Sequence, residues 1–194
     1  MAEETQTTRR RLLDTAAALF FRDGYRAVGV DAIVAESGVS KMTLYRHFAS
    51  KDELIVAYLQ ETNEQFWAWF NAVTGTTTDA RGQLIAFFAA LETLVSKPAC
   101  YGCPFLNAAV DFPEHNHPGH RISLDHKNAV RARFRDLAAR AGARRPDRLA
   151  DALLLLMDGA FMAVRMHGEH NPAAHVSEAA AQLIDAELVG TPFG

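Results

Sequence analysis

The stretch GVSKMTLYRHFASKDEL, residues 38 to 54, gathers hydrogen-bond donors onto one short segment: Ser40, Lys41, Thr43, Tyr45, Arg46, His47 and Lys51. Ammonium, guanidinium, imidazole and hydroxyl groups suit phosphate oxygens. Those near the N-terminal end of a helix also suit the acceptor edges of bases. Met42 is the odd member, and an exposed apolar side chain there fits a thymine methyl. A solvated face beside a core uses the same residue types, and the pattern alone leaves both readings open.

A second group of reactive side chains lies further on. CYGC at 100 to 103 is followed by PEHNHPGH, which brings Cys100, Cys103, His115, His117 and His120 into one region of the sequence. Thiolate and imidazole together suit zinc or copper. The spacing is not that of a zinc finger, so no metal and no cofactor is expected. A thiol- or metal-responsive role for Cys100 and Cys103 stays as the alternative. Pro104, read as the first residue of a helix, places Cys103 at the N-cap, where the helix dipole favours an anion. Nucleophile-elbow, P-loop, dinucleotide and H-E-x-x-H signatures are all missing, and His167 and His170 stand at a helix end, so no enzyme is expected.

Elements that could position these groups are helical throughout. With 194 residues, 49% of them hydrophobic, the chain can bury a substantial core. The net charge of −3 gives no general basic coat, so contact with a polyanion has to be local. The N-terminus, MAEETQTTRRR, lacks the apolar stretch of about 7–15 residues that a secretory signal carries. The longest apolar run, Ala152 to Val164, is interrupted by Asp158 and Gly159 and falls short of the roughly 20 residues of a membrane span. A cytoplasmic protein without membrane contact is expected. Periodicity predicts helices over about Thr8 to Asp23, Val30 to Ser37, from the N-cap Ser40 onward, Lys51 to Val73, Asp79 to Ser96, Pro104 to Phe112, Arg121 to Ala141, Pro146 to His167 and Pro172 to Leu188. Two short helices joined at Gly38, the second rich in donors, are the ingredients of a helix-turn-helix. Ile33, Val34, Val39, Leu44 and Phe48 would anchor the pair.

The run RRRLLDTAAALFFRDGYRAVGVDAIVAESG, continued by GVSKMTLYRHFASKDELI, resembles the DNA-binding domain of TetR-type transcriptional regulators over about residues 8 to 56. Its most diagnostic part is Leu44-Tyr45-x-His47-Phe48 followed by Ser50-Lys51. The resemblance implies an all-α fold: an N-terminal three-helix helix-turn-helix domain, residues 1–52, and a C-terminal helical ligand-binding and dimerisation domain, residues 53–194. It also implies a third helix in the major groove, Tyr45, His47 and Lys51 on phosphates, and a ligand-responsive repressor released from a palindromic double-stranded operator by a small-molecule effector. Two departures are visible. Gly29 stands where the family often has a capping Ser or Thr, and Met42 replaces a more usual small residue.

Past residue 56 the resemblance is to the general plan of the family. That plan places an effector pocket among the later helices, with Phe66, Trp69, Phe70, Phe87, Phe88, Leu91, Phe105, Phe112, His126, Phe134, Met157, Asp158 and Phe161 as candidate lining. Aromatics at helical spacing are equally plain core, and His126 reads as a core or interface histidine. Asp158 is the oddity, a carboxylate in a Leu- and Met-rich helix that must find a partner. Arg165, the other subunit and a ligand are its candidates. Broad apolar surfaces on ALLLLMDGAFMAVRM and on the last helix, with Val176, Ala180, Leu183, Ile184 and Leu188, predict a homodimer built on these two helices.

Overall fold

Leu12, Leu13, Ala16, Leu19 and Phe20 recur at helical spacing, and all are buried along one face of α1 (Ala2–Asp23). The computed structural model describes residues 2–168 and 170–188. Helix α1 begins before the expected Thr8, because nothing between Ala2 and Thr8 breaks a helix. It stops at Gly24, whose φ of 87° is a left-handed conformation that side chains resist. The chain then forms α2 (Val30–Ser37), α3 (Lys41–His47), α4 (Lys51–Thr74), α5 (Ala80–Val95), α6 (Pro104–Asp111), α7 (Pro118–Arg140), α8 (Pro146–His167), a 3-10 turn (Pro172–His175) and α9 (Val176–Leu188). Among the described residues there is no strand, as the all-α expectation required.

Two further boundaries differ from expectation by more than a residue, each for a local reason. Helix α7 starts at Pro118, three residues early, because proline fits the first helical position and His117 Nδ1 accepts the Gly119 N–H at 3.1 Å. The last helix opens as the 3-10 turn, where the Asn171 side chain accepts from the Ala173 N–H, before α9 proper begins.

The helices form two compact units. The first comprises residues 1–64 and 104–124, so α6 and the start of α7 pack with the N-terminal helices. Its core is Leu12, Phe20, Tyr25, Ile33, Leu44, Phe48, Leu54 and Ile55, each almost fully buried. Asp111, at the end of α6, clasps the turn between α1 and α2. Its Oδ2 accepts from the N–H groups of Tyr25 at 2.7 Å and Arg26 at 3.2 Å, and the Arg26 guanidinium donates to the Asp111 carbonyl. The Tyr25 hydroxyl donates to the Pro104 carbonyl at 3.0 Å, and its ring packs 5.8 Å from that of Phe112.

The second unit comprises residues 65–103 and 125–194. Phe70, Phe87, Phe88 and Phe134 are fully buried and form its aromatic centre, with ring centroids 5.0–6.2 Å apart. Asp79 caps α5 by accepting the Gly82 N–H at 2.7 Å. Glu92 accepts from both the N–H and the hydroxyl of Ser177, at 3.0 and 2.6 Å, and Arg81 pairs with Asp185, tying α5 to α9.

The Asp111 clasp makes a stability prediction. Asp111→Ala leaves two backbone N–H groups without their partner and should lower the unfolding free energy by about 1–3 kcal/mol, with Asp111→Asn recovering part of the loss. Urea titration of the variants measures this, and an unchanged midpoint in Asp111→Ala would show that the clasp contributes nothing.

Candidate functional site

The helix-turn-helix forms where the sequence placed it. Gly38, with φ 66°, closes α2 and donates its N–H to the Val34 carbonyl, and Ser40 caps α3 by accepting the Thr43 N–H at 3.2 Å. Ile33, Val39, Leu44 and Phe48 are buried. Helical spacing from Leu44 turns Met42, Tyr45 and Arg46 outward, and Lys41, at the first position of α3, is exposed too; Met42 is 81% exposed. Thr43 is half-buried, its hydroxyl 2.9 Å from that of Ser40. Gly29 supplies no side-chain cap to α2, as its lack of a hydroxyl demands.

Three candidates carry constraints the sequence did not reveal. Lys41 Nζ donates to Asp31 of α2 at 2.8 Å, and this bond raises its pKa. His47 is half-buried with Nε2 shielded and lacking a hydrogen-bond partner among the described residues, so that atom reaches a phosphate only if the ring turns. Lys51 is half-buried, and desolvation pushes its pKa down while Asp52 and Asp111 act in the opposite sense. Lys51 follows Ser50, which accepts the Glu53 N–H at 3.1 Å to start α4.

The expected pocket residues divide between the units. Phe105 and Phe112 belong to the first, where Phe112 stacks on His117 at 3.9 Å. Phe66, Trp69, Phe70, Phe87, Phe88, Leu91, His126, Phe134, Met157, Asp158 and Phe161 belong to the second. Phe66 and Trp69 are half-buried, and Phe66 meets His126 edge-on at 4.7 Å. Burial, with the neighbouring Lys127 charge adding to it, pushes the His126 pKa down to about 3, so the ring is neutral in the fold. Asp158 finds its partner in Lys127 of α7, 2.5 Å away, rather than in Arg165, which donates to the Tyr101 carbonyl. Lys127 Nζ also lies 3.6 Å from Cys103 Sγ. Neither contact was legible, because the partners stand 31 and 24 residues apart and no periodicity records which polar residues meet.

Cys103 is buried and Cys100 half-buried, its thiol pKa pushed up by desolvation. His115 Nδ1 and His120 Nε2 are 3.0 Å apart, and His120 Nδ1 bonds the Phe112 carbonyl. Among the described residues, no group of three or more His, Cys, Asp or Glu side chains is arranged to hold a metal, and no helix is long and apolar enough to cross a membrane. An open apolar groove of about 290 Å³ runs along α8, the 3-10 turn and α9 in the second unit, lined by Leu155, Gly159, Ala163, Ala173 and Val176 among others.

The model for bacterial regulatory proteins of the tetR family matches residues 12–58, and that for the tetracyclin repressor-like C-terminal domain matches residues 80–180. The chain belongs to the TetR family of transcriptional regulators. Members of this family are regulators, not enzymes, in agreement with the missing catalytic signatures. The HTH-type transcriptional activator FasR of Mycolicibacterium smegmatis is 36% identical over 117 residues, 60% of this chain and 45% of FasR. The HTH-type transcriptional repressor KstR2 of Mycobacterium tuberculosis is 31% identical over 96 residues, 47% of this chain and 48% of KstR2. The chain thus spans less than half the length of these curated relatives. A TetR-family regulator from Streptomyces coelicolor, 34% identical, superposes over 93% of this chain and 94% of its own with a TM-score of 0.85. The match places the helix-turn-helix and the later helices within the family plan.

The buried His126 predicts a pH dependence. Its folded pKa of about 3 lies below the ordinary 6.5, so the unfolded chain binds the extra proton between these values. This contribution to stability is full above pH 6.5 and falls as the pH drops toward 3, by up to about 1.4 kcal/mol per unit. Denaturation of His126→Gln from pH 7 to 4.5 should show a shallower slope than the parent, whatever its absolute stability. Equal slopes would refute the assignment.

Proposed function

We propose that the chain is a homodimeric repressor that reads a palindromic double-stranded DNA operator with α3 and leaves it when a small molecule binds the second unit. The observation that carries this reading is the presentation of α3. Leu44 and Phe48 are buried beneath it while Lys41, Met42, Tyr45 and Arg46 face outward. Residues 1–52 are the reading module. Ser40, Lys41, Met42 and Thr43 lie at the N-terminal end that meets base edges, and Tyr45, Arg46, His47 and Lys51 serve the phosphates. KstR2 is a repressor and FasR an activator by their names, and a promoter-fusion reporter tests the repressor reading for this chain.

The dimer rests on the apolar groove of α8 and α9. Leu155 lines this groove, Met162 and Met166 of α8 and Leu183 of α9 are exposed as well, and a second copy covers them by two-fold symmetry. Ile184 is fully buried within its own chain and belongs to the core instead of the interface. The effector acts on a two-state equilibrium, favouring dimers whose reading heads no longer match half-sites about 34–36 Å apart. Phe66, Trp69 and His126, at the edge of the aromatic centre, are its candidate contacts. A thiol response is a second reading favoured by one observation, the placement of Lys127 beside Cys103. Oxidant titration of operator binding in the parent and in Cys103→Ser separates the two.

Selection from random double-stranded DNA tests the reading directly, and recovery of no consensus would sink it. Given a consensus, Lys51→Ala should weaken all sequences alike and lower the salt slope by about 0.9. A changed consensus with an unchanged slope would remove Lys51 from the phosphates. Leu155→Glu combined with Met162→Glu should give a folded monomer with operator affinity lowered more than about tenfold, because carboxylates buried without partners are costly. An intact dimer in sedimentation would move the interface elsewhere.

A further inference from the structure

Asp31 holds Lys41 from the neighbouring helix. It occupies the second position of α2, its side chain is 83% exposed, and its Oδ1 accepts from Lys41 Nζ at 2.8 Å. Lys41 is the first residue of α3 and its side chain is 54% exposed, so the carboxylate stands on the same open face as the reading helix. A negative charge there is repelled by every phosphate and neutralises the lysine as a phosphate contact. It therefore weakens sequence-independent binding. Nor does Asp31 cap α2, whose N-cap is Gly29.

The pair has a pattern that fits a base pair. Across the major-groove edge of G·C, guanine O6 and cytosine N4 form a hydrogen bond of about 2.9 Å, an acceptor beside a donor. Lys41 Nζ and Asp31 Oδ1 offer a donor beside an acceptor at nearly the same spacing. Guanine adds N7 next to O6, a second acceptor for the ammonium, whereas thymine places its methyl group next to O4. We propose that Asp31 is a specificity-determining residue, reading with Lys41 one G·C pair in each half-site: Lys41 donates to guanine O6 and N7, and Asp31 accepts from the cytosine amino group. The proposal rests on the reading of α3 as the groove-entering helix.

Selection from random DNA, followed by affinity measurements on single-base variants, tests both levels separately. The parent should recover one fixed G·C position per half-site, discriminated about tenfold or more against A·T. In Asp31→Ala and the isosteric Asp31→Asn this preference should fall several-fold at that position alone, while affinity for random DNA rises and the salt slope steepens by up to about one unit as Lys41 is freed for a phosphate. Lys41→Ala should lose the preference at the same position. Circular dichroism verifies that each variant folds. A residue that merely complements the α2 dipole would change stability and leave base preference untouched. A parent without any consensus defeats the reading of α3 itself. A parent consensus that Asp31→Ala and Asp31→Asn both retain, or an A·T pair at the affected position, overturns the role of Asp31.

Discussion

A helix of seven residues has almost no stability of its own in water, so α3 exists only because Leu44 and Phe48 are buried beneath it. That burial sets the rotation of the helix about its axis. Every donor on α3 points where it does because those two positions point inward. Arg9 of α1 lies over the Phe48 ring at 4.9 Å, and α1 and α2 both pack on α3, so the outward face of α3 is anchored to the core of the first unit. Hydrogen bonding finishes the work at each end, through the Ser40 cap and the Phe48 N–H, which donates to the Leu44 carbonyl.

The same dependence of a polar face on a buried one recurs in the second unit. Phe87 and Phe134 sit at the centre of the aromatic cluster, and helices α7 and α8 are tied across their surface by Lys127–Asp158, Arg131–Asp151 and Arg135–Asp147. The last two pairs are exposed and contribute little stability each. Lys127 and Asp158 are mostly shielded, and each would be costly to bury without the other. The interior of this unit therefore ties His126 to Phe66 of α4 and Lys127 to Asp158 of α8, so these polar residues depend on the positions of three helices.

Most of what the sequence makes legible is short-range. Val30–Ser37, the Ser40 cap, the Gly38 stop and Pro146–His167 depend on residues within a turn of one another, and periodicity or capping chemistry records them. The start of α7 was missed because a histidine ring nitrogen, not a familiar capping residue, satisfies the Gly119 N–H. Of the candidate site, the identity of the outward face of α3 was legible from the spacing of Leu44 and Phe48. The partners were not: Asp31 for Lys41, Lys127 for Asp158 and Asp111 for the Tyr25 turn all meet through tertiary packing. Asp31 and Asp111 had a faint signal, a carboxylate in a short amphipathic helix with no periodic role, but nothing in the linear order says which cation or N–H it will meet.

The clasp of Asp111 on Tyr25 and Arg26 also has a consequence for biosynthesis. The first unit draws on residues 1–64 and 104–124, so a ribosome releases α1 to α3 well before the segment that completes their packing. At about 5–20 residues per second the nascent head waits for seconds with its α1–α2 turn unclasped and the Tyr25 ring lacking its Phe112 neighbour. Residues 65–103, which begin the second unit, emerge during that interval. A chain interrupted before Asp111 carries all of α3 and yet lacks the contacts that close the scaffold beneath it, so the order of synthesis leaves the head incomplete until α6 has emerged.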